Sequence, residues 1–296
     1  MGNTSYNYSS RSLRASVSGY ATKSVDQLFT QNIKRSIHES MNPRGITIRE
    51  SRDSETNPNT TPIIFALDVT GSMRKVPHYL IKEGLPKMVS KMIQLGIPNP
   101  QILFLAIGDG ITDIAPLQVG QFESGDEELD MWLTRTFLEG GGGANNGESY
   151  NLAWYFAGTK TAIDSLEKRG KKGFLFTIGD EPCLEGISSR MLEGITGETV
   201  QSTLSNQELL NMAKEKYNVF HLQVLEGQKG HQSLPFWQEL LGQNCIEIKD
   251  QREIADVIAD TIYNNLQDHN FVNREVTIEN PNTIDGIDLT SVNVML

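Results

Sequence analysis

The amino-acid sequence predicts an α/β fold with a doubly wound, mainly parallel sheet and helices on both of its faces. The first reason is a series of short, continuous apolar segments, which are typical of strands covered on both sides. The second is that segments with helical periodicity separate these strands, as the crossovers of a parallel sheet require. The third is the length of 296 residues, which is enough to bury a large core.

The predicted strands are the apolar segments in the middle of the chain. The first reads Ile-Ile-Phe-Ala-Leu at 63–67, and a second, at 101–107, is apolar after its first residue. A shorter segment at 117–122 is expected to lie at the edge of the sheet. The remaining predicted strands are 173–178, 219–224 and 245–248.

Helical periodicity accounts for most of the sequence between these strands. In the last predicted helix, Ile254, Ile258 and Ile262 are four residues apart and lie on one apolar face. Gly84 and Pro86 are expected to kink the first helix, because proline cannot donate a helical hydrogen bond. The predicted helices are 76–93, 126–137, 148–163, 205–216, 234–241 and 250–266.

The two ends of the chain differ in composition from the middle. Residues 1–45 contain six basic and two acidic residues, so this segment carries about +4 and the rest of the chain about −15. Within it, 24–41 is predicted to form one amphipathic helix, and a polar linker follows at 51–61. The basic segment either packs on the central domain or docks an acidic partner. The predicted boundaries are 1–58 for the arm and linker, 59–267 for the domain, and 268–296 for a tail with one or two short strands.

Composition excludes several classes of function. There are 26 Lys and Arg against 37 Asp and Glu, a formal charge of −11, which argues against binding nucleic acid or an anionic membrane surface. The two cysteines are too few for a disulfide framework or a cysteine zinc site. No apolar segment approaches the roughly 18 residues of a membrane-spanning helix, and the first thirty residues do not resemble a secretory signal. The sequence therefore predicts a cytoplasmic protein.

Polar side chains follow the first predicted strand directly. Asp68, Thr70 and Ser72 alternate in a tight turn, so one carboxylate and two hydroxyls can point at a single position. Oxygen ligands of this kind suit a hard cation, first Mg²⁺ and then Mn²⁺ or Ca²⁺. The sequence thus predicts a cation site after this strand.

Two further segments supply acidic groups at other strand ends. Glu148 follows a glycine-rich stretch that begins at Gly140, and Asp180 comes just past the strand 173–178. In a parallel sheet, ligands bind beyond the carboxyl ends of the strands. Each acidic residue alone could instead serve a helix cap, a helix dipole or a turn. Their joint position favours a cation site.

These segments resemble the von Willebrand factor A family. ALDVTGSM at 66–73 is similar to its Asp-x-Ser/Thr-x-Ser signature, the metal-ion-dependent adhesion site (MIDAS), and the order of elements is similar over about 60–267. GANNGES at 143–149 resembles the integrin-β-like second loop, Gly-x-Asp-x-Pro-Glu, with Asn145 in place of its Asp. GDEPC, ending at Cys183, resembles the third loop. The metal ligands that the resemblance implies are Asp68, Thr70, Ser72, Glu148 and Asp180.

The resemblance implies binding, with no enzymatic turnover. One position on the cation would remain for a carboxylate offered by a partner protein. Related bacterial domains often act as adaptors of MoxR-type AAA+ ATPases, which implies such a partner in a bacterial or phage-infected cell. Asn145 and Asn146 are candidates for supporting the ligands or contacting the partner, and Asp109, after the strand 101–107, is a candidate for orienting waters or for a turn.

Two alternative functions remain open at this stage. A haloacid-dehalogenase-like phosphohydrolase would also place an Asp after its first strand. It needs a second Asp two residues later, where this chain has Thr70, which cannot act as a general acid near neutral pH. A lysine for the phosphate is also hard to assign, although Lys171 and Lys172 precede the strand that ends at Asp180. The second alternative is an assembly protein that oligomerises through the arm and the tail.

Overall fold

The computed structural model describes residues 4–140 and 147–275 and two short strands beyond them. Strand β2 lies in the middle of a six-stranded sheet with the order β4-β3-β2-β6-β7-β8. The strands, in chain order, are β1 (Arg49–Ser51), β2 (Thr61–Asp68), β3 (Pro100–Ile107), β4 (Leu117–Val119), β5 (Thr161–Ile163), β6 (Gly173–Gly179), β7 (Tyr217–Val224), β8 (Cys245–Ile248), β9 (Thr283–Ile284) and β10 (Ile287–Asp288).

All neighbours in the six-stranded sheet are parallel except β4, which pairs antiparallel with β3. The predicted segment 117–122 therefore does form an edge strand, although a shorter one. Residues along β2 alternate between two cores: Ile63, Phe65 and Leu67 belong to one, while Ile64 and Ala66 belong to the other. This alternation follows from the two-residue period of a strand. Both faces are covered, so the predicted α/β class is confirmed.

Helices cover the two faces of the sheet. One core includes buried residues of α4, α5, α6 and α12, and the other those of α7, α10 and α11. The helices are α1 (Tyr8–Val17), α2 (Val25–Leu28), α3 (Gln31–Lys34), α4 (Lys75–Tyr79), α5 (Leu85–Gln94), α6 (Asp126–Thr134), α7 (Asn151–Thr159), α8 (Asp164–Arg169), α9 (Ser189–Thr196), α10 (Asn206–Lys216), α11 (Gln228–Leu241) and α12 (Ile254–Glu275). Among the described residues, no helix has the length and apolar composition needed to cross a membrane.

The helix after β2 is interrupted where a kink was expected. A π-helical turn, Leu80–Gly84, separates α4 from α5. Pro86 lies in the first turn of α5, where it lacks the backbone N–H that would bond to the carbonyl of Lys82. A wider turn accommodates such a missing bond, so the interruption has a cause in the sequence.

The N-terminal arm lies on the domain, and its predicted single helix at 24–41 is wrong. The structure has two one-turn helices there, α2 and α3, and a 3₁₀ turn at Glu39–Met41. Arg35 has a φ of 50°, a left-handed conformation that ends a helix. Phe29 and Met41 are fully buried in the core next to α4 and α5. The arm is therefore part of the folded body.

Another error of prediction is the helix at 148–163. Helix α7 ends at Thr159, and β5 follows and pairs in parallel with β1. The predicted linker at 51–61 likewise begins inside β1. Because these two strands lie more than a hundred residues apart in the sequence, only the tertiary structure brings them together. Helices α8 and α9 were not predicted, and α12 runs past the predicted domain boundary at 267 to Glu275.

Candidate metal site

The carboxyl ends of β2, β3 and β6 lie at one edge of the sheet. Asp68 pairs with Ile107 in the register of β2 and β3, and Leu67 pairs with Ile178 of β6. The loops that follow these strands therefore begin next to one another. Parallel pairing thus brings together the first and third of the predicted ligand segments, as expected for an open α/β sheet.

The first loop is organised around Asp68, which is fully buried. Its Oδ1 accepts hydrogen bonds from the backbone N of Thr70 at 2.9 Å and from the Oγ1 of Thr70 at 2.7 Å. The loop then continues as a 3₁₀ turn at Gly71–Met73. This geometry fixes the carboxylate, and the Thr70 hydroxyl keeps its lone pairs while it donates its proton.

A hydrogen bond joins the first loop to the third. The Oγ of Ser72 donates to the Oδ1 of Asp180 at 3.1 Å. Asp180 is only 7% exposed, and burial is the main cause that raises the pKa of its carboxyl. Both predicted hydroxyl ligands therefore donate to predicted carboxylate ligands, so their oxygen lone pairs are left to coordinate a cation.

The backbone around Glu148 is held between the loop after β3 and the third loop, after β6. Its N donates to the carbonyl O of Pro182 at 2.9 Å, and its O accepts from the N of Leu184 at 2.9 Å. Next to it, the N of Ser149 donates to the O of Gly108, after β3, at 3.1 Å. These bonds attach the second loop to the loops after β3 and β6, so Glu148 reaches the site although no strand ends in front of it.

Glu148 is a buried acid without a partner for one of its oxygens. It is 2% exposed, and its Oε2 has no hydrogen-bond partner within the described part of the chain. Burial, and next the negative charge of Asp68, raise the pKa of Glu148 to about 10. Burial likewise raises the pKa of Asp68 to about 7. Without a cation, the site therefore holds more negative charge than its surroundings stabilise.

The structure adds Tyr150 to the site, which the sequence analysis missed. Its hydroxyl donates to the Oδ2 of Asp68 at 2.9 Å, and its ring packs edge-on against His221 and Trp237. Tyr150 passes so close to Gly179 that a Cβ at that glycine would lie 1.7 Å from the tyrosine oxygen. The only available signal was its position two residues after Glu148.

Tyr150 is expected to position Asp68 for the cation. We predict that Tyr150→Phe weakens Mg²⁺ binding by about tenfold, because groups that orient metal ligands typically contribute that much. Tyr217 is a matched control, since its buried hydroxyl donates to Thr161 at the opposite end of the sheet. Isothermal titration calorimetry should show unchanged Mg²⁺ affinity for Tyr217→Phe. Equal loss in both variants would contradict the positioning role.

The histidine beside Tyr150 belongs to the core. His221 is fully buried, with its Nδ1 2.8 Å from the Oγ1 of Thr177 and its Nε2 3.0 Å from the Oε1 of Gln223. Its ring stacks on Trp237 with a centroid distance of 3.5 Å. Burial lowers the pKa of His221 to about 3. The histidine is therefore neutral and structural.

The sequence also offered no sign of a second acid in the third loop or of its lysine partner on α11. Glu181 is 5% exposed, and its carboxylate forms an ion pair with Lys229, in the first turn of α11. The Nε1 of Trp237 donates to the carbonyl O of Glu181 at 2.9 Å. These contacts fix the third loop on α11 and place one positive charge near the acidic cluster.

Of the remaining candidates, Asp109 and Lys172 have hydrogen-bond partners of their own outside the proposed ligand set. The carboxylate of Asp109 accepts hydrogen bonds from the N of Ile111 and the Oγ1 of Thr112, so it stabilises its own turn, the alternative that the sequence left open. Asn145 and Asn146 lie outside the described residues. Lys172 donates to the carbonyl of Lys214 next to the start of β6, at the opposite edge from Asp180, where it cannot serve a phosphate site.

The oxygen-bearing side chains suit a hard cation. The hydrogen bonds between them, however, join only two residues at a time, Thr70 to Asp68 and Ser72 to Asp180. Within the described part of the chain, no three histidine, cysteine or acidic side chains form a ready metal cluster. The fit depends instead on the unpartnered Oε2 of Glu148 and on the free lone pairs of Thr70 and Ser72. Fold and site together define a doubly wound α/β domain with an oxygen-rich, acidic cluster at the carboxyl ends of its strands.

The sequence matches no protein-family model and no curated protein. Among solved structures, the chain is similar to the pilus adhesin SpaC from Lactobacillus rhamnosus GG in its open conformation, with 12% identity and a TM-score of 0.48. The similarity covers 73% of this chain but only 31% of the adhesin, so the chain spans about a third of that protein.

Two shorter proteins are similar over most of their length. One is an aerotolerance-related membrane protein from Bacteroides fragilis, with 12% identity, a TM-score of 0.40, and coverage of 69% of this chain and 99% of that protein. The other is the SpRpn10 VWA domain, with 10% identity, a TM-score of 0.39, and coverage of 66% and 93%. At these TM-scores and identities, the similarities carry no functional conclusion.

Proposed function

We propose that the protein is a cation-dependent protein interaction module of the von Willebrand A type. Mg²⁺ would be held at the carboxyl edge of the sheet, and a partner protein would offer a carboxylate to the open coordination position. The observation that carries the proposal is the buried Oε2 of Glu148, which has no hydrogen-bond partner among the described residues, beside the buried carboxylate of Asp68. The proposed ligands, direct or through water, are Asp68, Thr70, Ser72, Glu148 and Asp180.

The arrangement of hydrogen bonds supports this assignment. Thr70 and Ser72 donate to Asp68 and Asp180, so the two hydroxyls and the carboxylates can share one ion without any change in hydrogen-bond direction. Buried polar atoms normally have partners, and a cation would supply the one that the Oε2 of Glu148 lacks within the described part of the chain. A bound Mg²⁺ would also offset part of the negative charge and attract an acidic ligand.

Mg²⁺ binding tests the proposal directly. We expect calorimetry on the wild-type protein to show one site for Mg²⁺ or Mn²⁺, and Asp68→Ala and Glu148→Gln to lose it, because each removes an anionic oxygen ligand. Glu185→Gln is a matched control, since Glu185 is exposed and lies in the loop after Asp180. Its affinity should equal that of the wild type.

The decisive outcome is the difference between these variants. Equal heats for wild type and Asp68→Ala would refute the cation site, whereas equal losses in all three variants would indicate a non-specific effect of charge. The adaptor role towards a MoxR-type AAA+ ATPase and a cytoplasmic location belong to the same proposal. A Mg²⁺-dependent complex with such an ATPase, absent for Asp68→Ala, would support them.

A further inference from the structure

A groove with exposed aliphatic side chains and a polar rim lies beside the candidate metal site. Ile111 and Ile114, in the loop after β3, are 67% and 65% exposed. They line a groove of about 680 Å³ together with Met191 and Ile195 of α9 and with Ile37 of the arm. Single exposed apolar residues are common, but several around one groove indicate an interaction surface.

The wall of this groove is attached to the backbone that carries Glu148. The N of Gly110 donates to the Oγ of Ser149 at 2.9 Å. A Cβ at Gly110 would lie 2.8 Å from the Sδ of Met191 and 2.9 Å from the Oγ of Ser149. The groove therefore starts one residue away from a proposed metal ligand, so a single bound segment can reach both.

Two of the three charged side chains that line the groove are basic, although the body of the chain is acidic. Arg190 is exposed and forms no ion pair with any described residue. Arg44 donates to the carbonyl O atoms of Glu193 and Gly194 at the end of α9. The one acid in the lining, Asp113, accepts a hydrogen bond from the N of Asp109 at 2.8 Å. A partner with negative charge is complementary to this rim.

We propose that this groove binds an acidic, aliphatic segment of the partner protein. One carboxylate of the segment binds the cation, its aliphatic side chains contact Ile111 and Ile114, and a second carboxylate pairs with Arg190. This proposal rests on the proposed function and adds the chemical class of the partner. Aliphatic contacts supply affinity through burial, and the charges set the orientation of the segment.

A displayed peptide library tests the proposal without a known partner. The library has one fixed Asp with four random positions on each side, is captured on the immobilised protein in Mg²⁺, and is eluted with EDTA. We expect enrichment of Leu, Ile or Val and of a second acid on one side of the fixed Asp. The Ile111→Ser/Ile114→Ser variant should retain Mg²⁺-dependent capture but lose the aliphatic preference.

The most enriched peptide then gives affinities by fluorescence anisotropy. Burial of two aliphatic side chains predicts at least tenfold weaker binding to the Ile111→Ser/Ile114→Ser variant, and Arg190→Gln should weaken it several-fold. Ile93→Ser is the control, because Ile93 is 54% exposed on α5 outside this groove, and its affinity should stay within twofold of the wild type.

The results separate a failure of the groove from a failure of the metal site. Two results would overturn the groove proposal alone, provided that calorimetry shows Mg²⁺ binding. One is a peptide library without any aliphatic preference, and the other is the same preference in the Ile111→Ser/Ile114→Ser variant. Absence of Mg²⁺ binding would overturn both proposals. Mg²⁺-dependent self-association that this variant abolishes would assign the groove to a second copy of the chain and would also overturn the proposal.

Discussion

Replacing Arg11 with methionine is expected to lower the free energy of unfolding by about 3 kcal/mol, because it leaves a buried carboxylate short of a counter-charge. Arg11 is 4% exposed. Its guanidinium lies 3.4 Å from the Oδ1 of Asp130 on α6 and donates to the carbonyl of Ile81 in the π-helical turn. Methionine fills most of the volume but restores neither contact.

The size of this loss of stability depends on which ion pairs Asp130 still forms in the Arg11→Met variant. Burial raises the pKa of Asp130 and the two arginines oppose that shift. Arg14 would still reach its Oδ2 at 2.9 Å, so the loss should fall at the lower end of the range for a broken buried pair. The double variant Arg11→Met/Asp130→Leu removes both charges and should recover part of the stability.

Urea unfolding measures these free energies. Arg190→Met is the control, because Arg190 is exposed and unpaired among the described residues, and its stability should remain within about 0.5 kcal/mol of the wild type. An unchanged stability in Arg11→Met would mean that the arm is not fixed by this ion pair. Deleting residues 1–45 is a poorer test of the arm, since it also removes Phe29 and Met41 from the core.

The central sheet could be predicted from the sequence because its signal is local. Strands such as β2 and β6 are buried along their whole length, and continuous apolar segments report that directly. The arm could not be predicted in the same way. Its conformation depends on the left-handed Arg35 and on contacts of Arg11 with residues far along the chain, and periodicity carries no information about either.

The same contrast applies to the candidate site. Asp68 and Asp180 could be predicted because strand ends in a parallel sheet meet at one edge. Tyr150 could not, since its role depends on a packing arrangement in which its hydroxyl crosses Gly179 to reach Asp68. Asp109 was placed near the site by topology alone, and only its hydrogen bonds to Ile111 and Thr112 show that it serves a turn.

The contribution of Asp68 to the stability of the cation-free protein is expected to fall as the pH rises from about 4 to about 8. Burial raises the pKa of Asp68 from its ordinary value of 3.8 to about 7, so the folded state binds a proton that the unfolded state has released. The slope of this contribution to the unfolding free energy is then negative across the window, whereas that of the buried His221, whose pKa is lowered to about 3, is positive up to about pH 6.5. The stabilisation is complete below pH 4 and is lost as the pH passes 7.

The expected loss is on the order of 4 kcal/mol, because one pKa unit corresponds to about 1.4 kcal/mol. Glu148 extends the effect to higher pH, since burial raises its pKa to about 10. Mg²⁺ should act in the opposite direction. The cation favours the ionised carboxylates and displaces their protons, so its stabilising effect should grow with pH, and its binding should release protons.

Urea unfolding in EDTA and in Mg²⁺, at several pH values between about 5 and 8, separates these effects. In EDTA, Asp68→Asn should lack the falling contribution of Asp68, because the amide has no proton to lose, so its curve should diverge from that of the wild type as the pH rises, while Glu185→Gln should follow the wild type. In Mg²⁺ the wild type should be most stable at the high-pH end. If Asp68→Asn and the wild type showed parallel curves in EDTA, the carboxyl of Asp68 would not titrate in this range, and the acidic cluster would lack the uncompensated charge that we assign to a cation.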